Sequence, residues 1–190
     1  MNVTAPHQYK STPWKNGKGE TIELAISPNS TLDNFDWRLS IATVAEDGAF
    51  SNFSGLERNL VLIEGNGLTL EHDEQSVDKL DTLLSYATFD GGSQTFGTLH
   101  NGTIRDFNIM HRPDKFAAII ETVTEQAELK MPSCDFGFVY PLTTDVEITY
   151  TQKESKETLL QGHLGQFNSV QKDNVLISGK SFILVCFIKR

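Results

Sequence analysis

The sequence contains no long hydrophobic run and few cysteines, and each shortage excludes a class of protein. No apolar stretch approaches the length of a membrane span, and the first residues lack the charged and apolar parts of a secretory signal. The two cysteines, Cys134 and Cys186, lie in apolar strand-like segments, which predicts buried free thiols in a reducing compartment rather than a disulfide framework. We therefore expect a cytoplasmic protein with no membrane partner.

Blocks of basic residues are also missing. The formal net charge is −9 over 190 residues, and no lysine- or arginine-rich segment offsets it, so a nucleic-acid partner is not expected. The hydrophobic share of 38% and the charged share of 22% are ordinary for a soluble globular protein of this size.

Metal-binding motifs are absent from the five histidines. No two histidines stand at positions i and i+2 of one strand, and no His-x-His with a following glutamate occurs. His72 follows Glu71, but neighbouring residues of a strand point to opposite faces and cannot ligate one ion from the same barrel. We expect no metal, no cofactor, and separate positions for His72, His100 and His111.

Short strand-like runs fill the chain, and long helical patterns are not evident. Residues 37–44 alternate large apolar with small or polar side chains, which is typical of a half-buried strand. Gly65 and Gly67 predict a tight hairpin between the runs 60–63 and 68–70, and Asn101-Gly102, the dipeptide most typical of a type I′ hairpin, predicts another. Residues 73–79 are polar and predict a break. The pattern favours an all-β barrel or sandwich.

The strand pattern recurs along the chain at one shift of 78 positions (from Leu60 to Phe138). The same shift places Leu68 on Val146 and Ile104 on Phe182. Several strand runs that keep one shift indicate an internal duplication. We therefore expect two similar β-barrel halves, residues 1–113 and 114–190, that share an interface.

Polar residues of the first half fall on apolar residues of the second. The pairs are Arg38 with Phe116, Ser40 with Ala118, Asp106 with Leu184, Asn108 with Cys186, and Met110 with Ile188. The second barrel is thus expected to be filled by apolar side chains, whereas the first is expected to surround something polar. Buried aspartate and asparagine need hydrogen-bond partners, which a ligand can supply.

Arg38 is the candidate for holding a carboxylate in the first barrel, because its planar guanidinium can bind one through two hydrogen bonds. Ser40 lies on the same strand face, and Asp106, Asn108 and Met110 share a face of another strand. Asn108 can donate to or accept from a formamide, Asp106 can orient Arg38, and Met110 adds an apolar wall. The alternative is that Arg38 and Asp106 simply pair to hold two strands together.

The glycine-rich segment 13–21 lies near the expected mouth of this barrel. It is not a phosphate-binding loop, because Lys18 is followed by glycine rather than serine or threonine. Trp14 either caps the core, which the pattern favours, or stacks on a ligand. Lys15 can bring a second positive charge to the ligand, and Asn16 a hydrogen-bond donor.

These residues belong to a set of motifs that runs in order across roughly the first 112 residues. The motifs are Pro13-Trp14-Lys15-Asn16-Gly17, Phe35-Asp36-Trp37-Arg38-Leu39-Ser40-Ile41-Ala42, Asp47-Gly48-Ala49-Phe50-Ser51, Arg58 before the strand 59–64, and Asp106-Phe107-Asn108-Ile109-Met110-His111-Arg112. Together they resemble the HutD/Ves family of double-cupin proteins, and the remainder of the chain matches that family only in strand pattern. One departure is Lys18, where the family usually has a third glycine.

The resemblance implies a bicupin fold without the metal-ligand motif. For the HutD branch it implies a regulator of histidine utilisation that binds a pathway metabolite such as N-formylglutamate or urocanate, with no established enzymatic activity. For the Ves branch it implies only an association with stress or cold. Two alternatives to a binding protein stay open: a metal-independent isomerase or lyase with Asp106 as the base, and a structural or interaction role in stress. The oligomeric state is open, with a homodimer as one alternative.

Overall fold

The computed structural model describes residues 1–14, 19–171 and 174–190 of the chain. Apart from one short 3-10 helix at Pro6–Gln8, all regular structure in these residues is β. The strands are β1 (Asn2–Thr4), β2 (Lys10–Pro13), β3 (Gly19–Ile26), β4 (Trp37–Val44), β5 (Gly48–Ala49), β6 (Glu57–Glu64), β7 (Leu68–His72), β8 (Ser76–Leu80), β9 (Tyr86–Asp90), β10 (Thr95–Leu99), β11 (Ile104–His111), β12 (Phe116–Val123), β13 (Ala127–Lys130), β14 (Cys134–Pro141), β15 (Val146–Tyr150), β16 (Ser155–Leu159), β17 (Leu164–Val170), β18 (Val175–Gly179) and β19 (Phe182–Lys189). The described part of the chain contains no helix with the length and apolar character of a membrane span.

Residues Lys10–Pro113 form one compact unit built from two sheets. The larger sheet has the order β2-β3-β4-β11-β6-β9, and the smaller has the order β5-β10-β7-β8. A shared apolar cluster joins them, because Leu60, Leu62 and Ile104 of the larger sheet pack with Leu68 and Leu70 of the smaller. The two sheets therefore enclose one hydrophobic core, as in a β-barrel.

Residues Met1–Tyr9 and Asp114–Arg190 form the second unit. Its sheets have the orders β1-β17-β14-β19-β12 and β13-β18-β15-β16. The first nine residues belong here rather than with the half proposed from the sequence, because β1 pairs with β17 and the Tyr9 hydroxyl donates to the Gly162 carbonyl at 2.9 Å. Both cysteines are free and buried, as predicted.

The two units repeat one strand order. The order β4-β11-β6-β9 in one matches β12-β19-β14-β17 in the other, and β5-β10-β7-β8 matches β13-β18-β15-β16. Each series runs through the chain in the same sequence, so the all-β duplicated fold of cupin type is confirmed. The repeated hydrophobic pattern predicted the duplication because equivalent strands of the two units must each turn their apolar side towards the core.

The shift between the units is not constant, and this corrects three of the expected pairs. Leu60 pairs with Asn108, and Gly137 pairs with Cys186, so Leu60 corresponds to Gly137 rather than Phe138. Met110 of β11 pairs with Arg38, and Ile188 of β19 pairs with Ala117, so Arg38 corresponds to Ala117 rather than Phe116. By the same comparison Ser40 corresponds to Ile119 rather than Ala118, since their partners are Asn108 and Cys186. The loops between strands differ in length, so one shift cannot hold for every strand.

Three local predictions were wrong. The glycines Gly65 and Gly67 do have positive φ angles, 99° and 118°, but they do not close a hairpin, because β6 and β7 lie in different sheets. The turn at Asn101-Gly102 likewise joins β10 and β11, which do not pair. The polar segment expected to be a break contains β8, an edge strand that is exposed over most of its length.

Candidate functional site

Polar side chains form a layer on the barrel-facing side of the larger sheet of the Lys10–Pro113 unit. The strand register places Arg38, Met110 and Arg58 in one row across β4, β11 and β6. Paired residues of antiparallel strands project from the same face of a sheet. The next row contains Glu23, Ser40, Asn108 and Leu60, and the third contains Thr21, Ala42, Asp106 and Leu62.

The register therefore places on one face the five residues that were predicted to share it, Arg38, Ser40, Asp106, Asn108 and Met110. Apolar residues lie on both sides of the polar layer: Leu62 and Ile104 belong to one core cluster, and Met110 packs with Phe35 and Leu56 in another. An apolar environment strengthens the electrostatic interactions between polar groups within it and raises the free-energy cost of leaving any of them unpaired.

Arg38 does not pair with Asp106, which corrects both the orienting role and the strand-pairing alternative proposed from the sequence. Its Nε donates to Glu23 Oε2 at 3.3 Å, on the neighbouring strand β3. Within the described residues the terminal Nη groups of Arg38 have no hydrogen-bond partner. The side chain is 11% exposed, and the Nη atoms are not among the fully buried polar atoms, so they lie where the site meets solvent.

Arg58 is the site residue that the sequence reasoning missed. It is 4% exposed, and its guanidinium carbon lies 5.5, 5.3 and 5.2 Å from the ring centroids of Phe50, Phe53 and Phe89. Such distances are typical of cation–π contacts. Burial lowers the pKa of Arg58 to about 10, and the nearby Asp106 opposes the shift, so the guanidinium keeps its charge at neutral pH.

Two hydrogen bonds connect Arg58 to Asp106. Arg58 Nη2 donates to Asn108 Oδ1 at 2.9 Å, and Asn108 Nδ2 donates to Asp106 Oδ1. Both ends of the Asn108 amide are therefore hydrogen-bonded, and Asn108 links the guanidinium of Arg58 to the carboxyl group of Asp106. The signal that could have revealed Arg58 was its place opposite Met110, but this register is invisible before the strands are paired.

Burial raises the pKa of Asp106 to about 7, while the Arg58 charge and the Asn108 hydrogen bond oppose the rise. The residue is 0% exposed, and its Oδ2 atom has no hydrogen-bond partner among the described residues. A buried carboxyl group with one unpartnered oxygen is rare in folded proteins, because an unmade hydrogen bond in an apolar interior costs about 1–3 kcal/mol.

Uncommitted polar atoms therefore gather on one face of the barrel. They are the Nη groups of Arg38, the hydroxyl of Ser40, for which the described residues provide no partner, and Oδ2 of Asp106. Their chemistry is complementary to a small anion: a charged fork for a carboxylate, a hydroxyl beside it, and a carboxyl oxygen deeper in the layer.

The corresponding face of the second unit carries apolar residues at the same places. Leu184 and Cys186 occupy the positions of Asp106 and Asn108, and both are buried in a single cluster with Val139, Ile148 and Phe182. Partly buried Ile119 and Ile188 pack against that cluster.

Trp14 packs against the core cluster of the Lys10–Pro113 unit, and its indole nitrogen donates to Thr21 Oγ1 at 2.8 Å. Lys15 and Asn16, expected to bring a charge and a donor to the ligand, lie outside the described residues. A surface cavity of about 480 Å³ opens between Phe50, Glu71 and Phe96, and Phe50 is the residue that this cavity shares with the surroundings of Arg58.

The histidines occupy separate environments. His72 lies between Thr95 Oγ1 at 2.9 Å and Asp78 Oδ2 at 3.2 Å, and His100 contacts Thr69 Oγ1 at 2.9 Å. His111 lies 3.7 Å from Glu57. In the part of the chain that the structure describes, no group of three or more His, Cys, Asp or Glu side chains is arranged to hold a metal ion.

The sequence matches the HutD family over residues 6–185. A 21.2 kDa protein from the hutC 3' region of Pseudomonas putida is 34% identical over 154 residues, which cover 81% of this chain and 80% of the relative. Protein Ves of Escherichia fergusonii is 41% identical over 100 residues, covering 52% of this chain and 51% of Ves. The structure of HutD from Pseudomonas fluorescens SBW25, described with a formate condition, superposes with a TM-score of 0.85 at 28% identity, covering 100% of this chain and 98% of HutD.

Proposed function

The chain belongs to the HutD family, and we propose that its Lys10–Pro113 unit binds a small carboxylate metabolite without converting it, in a role linked to histidine utilisation. The observation that carries the proposal is the set of uncommitted polar atoms of Arg38, Ser40 and Asp106 on one face of an otherwise apolar barrel. The fully buried Oδ2 of Asp106 is costly to leave unpaired unless a ligand completes its hydrogen bond, and the other atoms offer a ligand further partners.

Arg38 is the residue that holds the carboxylate. Glu23 binds its Nε and fixes the side chain, which leaves the two Nη groups to meet both oxygens of an anion. Ser40 lies two residues along the same strand and supplies a hydroxyl at the next row. Preorganising the guanidinium in this way reduces the entropy lost when a ligand binds.

N-Formylglutamate and urocanate are the ligands to test first. Both carry a carboxylate, and the formamide of the first offers an oxygen acceptor and an N–H donor to the unpartnered Oδ2 of Asp106. The relative from the hutC 3' region supports the choice of compounds from histidine utilisation.

Isothermal titration of the purified chain with N-formyl-L-glutamate and with urocanate tests the proposal, with formate release and urocanate absorbance followed in parallel. We expect saturable heat and no product. Heat accompanied by product would instead identify an enzyme. The absence of heat with both compounds would contradict the proposal and favour a structural or interaction role.

The variant Arg38→Met sharpens this test. Affinity is expected to fall about 100-fold, because a charge-assisted hydrogen bond contributes about 1.5–3 kcal/mol and each 1.4 kcal/mol is a factor of ten. Arg105→Met is the matched control: Arg105 is partly exposed, contacts Glu64 at 3.5 Å, and should leave affinity unchanged. If Arg38→Met unfolds early while its folded fraction binds normally, Arg38 is structural and the site is misplaced.

A second candidate function is a proton-transfer enzyme with Asp106 as its base. The observation in its favour is the combination of an unpartnered Oδ2 and a pKa of about 7, close to the value at which a general base works best at neutral pH. The product measurements described above separate it from the binding protein, since Asp106→Asn would abolish turnover.

A further inference from the structure

Asp106 is set apart from the other carboxyl groups of the barrel by its surroundings. One oxygen, Oδ1, accepts from Asn108, which in turn accepts from Arg58. The other oxygen, Oδ2, is buried and has no partner among the described residues. Its row neighbours on β4 and β6, Ala42 and Leu62, are apolar and can neither donate to nor accept from it. The Oδ1 end is held in place, so Oδ2 is the end left for a ligand.

We propose that Asp106 binds the ligand as a carboxylic acid: it donates its proton from Oδ2 to an oxygen of the bound anion, so that ligand binding takes up one proton from solvent. This inference rests on the function proposed above. It adds a requirement on the ligand, which must carry a second oxygen acceptor beyond the carboxylate held by Arg38. A dicarboxylate or an acylated amino acid meets that requirement, whereas a monocarboxylate lacking a second oxygen acceptor does not.

Two anions in an apolar space explain why a proton is needed. A ligand carboxylate or carbonyl oxygen placed against an ionised carboxylate would be repelled, and the low effective dielectric of the interior increases that repulsion. A shared proton removes one charge and converts the repulsion into a hydrogen bond. The same reasoning explains how two neighbouring carboxyl groups in an active site hold one proton between them.

Among the charged and titratable groups around Asp106, Asp106 itself is the one whose protonation is expected to change when the ligand binds. Arg58 on β6 stays protonated, and it is the one ionised side chain among the causes of the Asp106 shift. Arg38 on β4 is bound to Glu23 on β3. The imidazole of His72 on β7 is buried, and Asp78 Oδ2 of β8 lies 3.2 Å from its Nε2.

The direction of the pH dependence follows from the free protein. Burial raises the pKa of Asp106 to about 7, so the carboxyl group is largely ionised at pH 8 and largely protonated at pH 6. The approach of an anion raises this pKa further. Binding at pH 8 must therefore take up close to one proton, binding at pH 6 far less, and affinity should weaken up to tenfold per pH unit above 7.

Titration calorimetry of the whole chain with N-formyl-L-glutamate, in Tris and in HEPES buffer at pH 6 and pH 8, measures this uptake, because the two buffers release protons with different heats. We expect about one proton at pH 8 in the wild-type chain and none in Asp106→Asn. His72→Gln is the control for the buried imidazole on β7 and should keep the wild-type uptake.

The carboxyl titration of the ligand-free protein is the second measurement, and it needs no variant to bind. Infrared absorption of protonated carboxyl groups should show one group that ionises near pH 7 and is missing in Asp106→Asn. Ordinary binding without proton uptake would overturn the inference and leave the proposed function standing. The absence of binding would overturn both, and a proton uptake lost in His72→Gln but kept in Asp106→Asn would assign the proton to His72.

Discussion

The Lys10–Pro113 unit and the unit of residues 1–9 and 114–190 share one strand order but differ at the middle of the barrel-facing sheet. Asp106 and Asn108 stand in one where Leu184 and Cys186 stand in the other. The apolar version is a continuous core that stabilises its unit. The polar version gives up part of that burial, and such a loss is typical of sites where function rather than stability selects the residues.

The difference also shows what a polar layer needs. Asp106 is accompanied by Asn108 and by the buried cation Arg58, whose aromatic surroundings replace the water it has lost. Leu184 has none of these companions: it packs in an apolar cluster, and its partner on β12 is the exposed carboxylate Glu121 rather than a donor. The first barrel can bury a carboxyl group because it also contains hydrogen-bonding and charged partners for that group, and the described residues of the second barrel lack such partners.

The largest effect is expected when the apolar barrel receives the polar residue. Leu184→Asp should lower the free energy of unfolding by about 4 kcal/mol or more, because the new carboxyl group has no donor nearby. Urea unfolding followed by circular dichroism measures the change. Leu160→Asp is the control, since Leu160 is exposed, and should be nearly neutral. A stable Leu184→Asp would mean that the second barrel also accommodates a polar group, and the contrast would disappear.

A smaller but still large loss is expected for Arg58→Met. The change leaves Asn108 Oδ1 and the Ser51 carbonyl without their donor and Asp106 without its neighbouring cation. Breaking a buried charged network in this way costs about 3 kcal/mol. The same urea experiment measures it, with Arg105→Met expected to change stability by less than about 0.5 kcal/mol. Equal stabilities of the two variants would show that Arg58 is not needed by the polar layer.

The smallest effect is the pH dependence that Asp106 imparts to folding. Its pKa rises from 3.8 to about 7 on folding, so between these values the folded state binds the proton and the unfolded state does not. The free energy of unfolding must therefore fall as pH rises through this window, and Asp106→Asn must lack this contribution. From pH 5 to pH 8 the wild type should lose about 2 kcal/mol relative to the variant. Parallel stability curves of the two proteins would contradict it.

Much of the candidate site was predictable because the period of a strand is local. Alternation along 37–44 and 104–111 placed Arg38 with Ser40, and Asp106 with Asn108 and Met110, on common faces, and the observed register keeps all five together. The duplicated fold was predictable for the same reason, since apolar periodicity survives sequence change. Arg58 was missed, because it became a site residue only through its register opposite Met110.

The sequence by itself determined the all-β class, the internal repeat and which faces of the strands are polar. The tertiary structure decided that Arg38 meets Glu23 and Arg58 meets Asn108, that the chain changes sheet at Gly65 and Gly67, and that β1 joins β17. The physical reason is the range of the interactions. Side-chain direction depends on neighbouring residues of the chain, whereas a hydrogen-bond partner depends on which distant strands lie side by side and in what register.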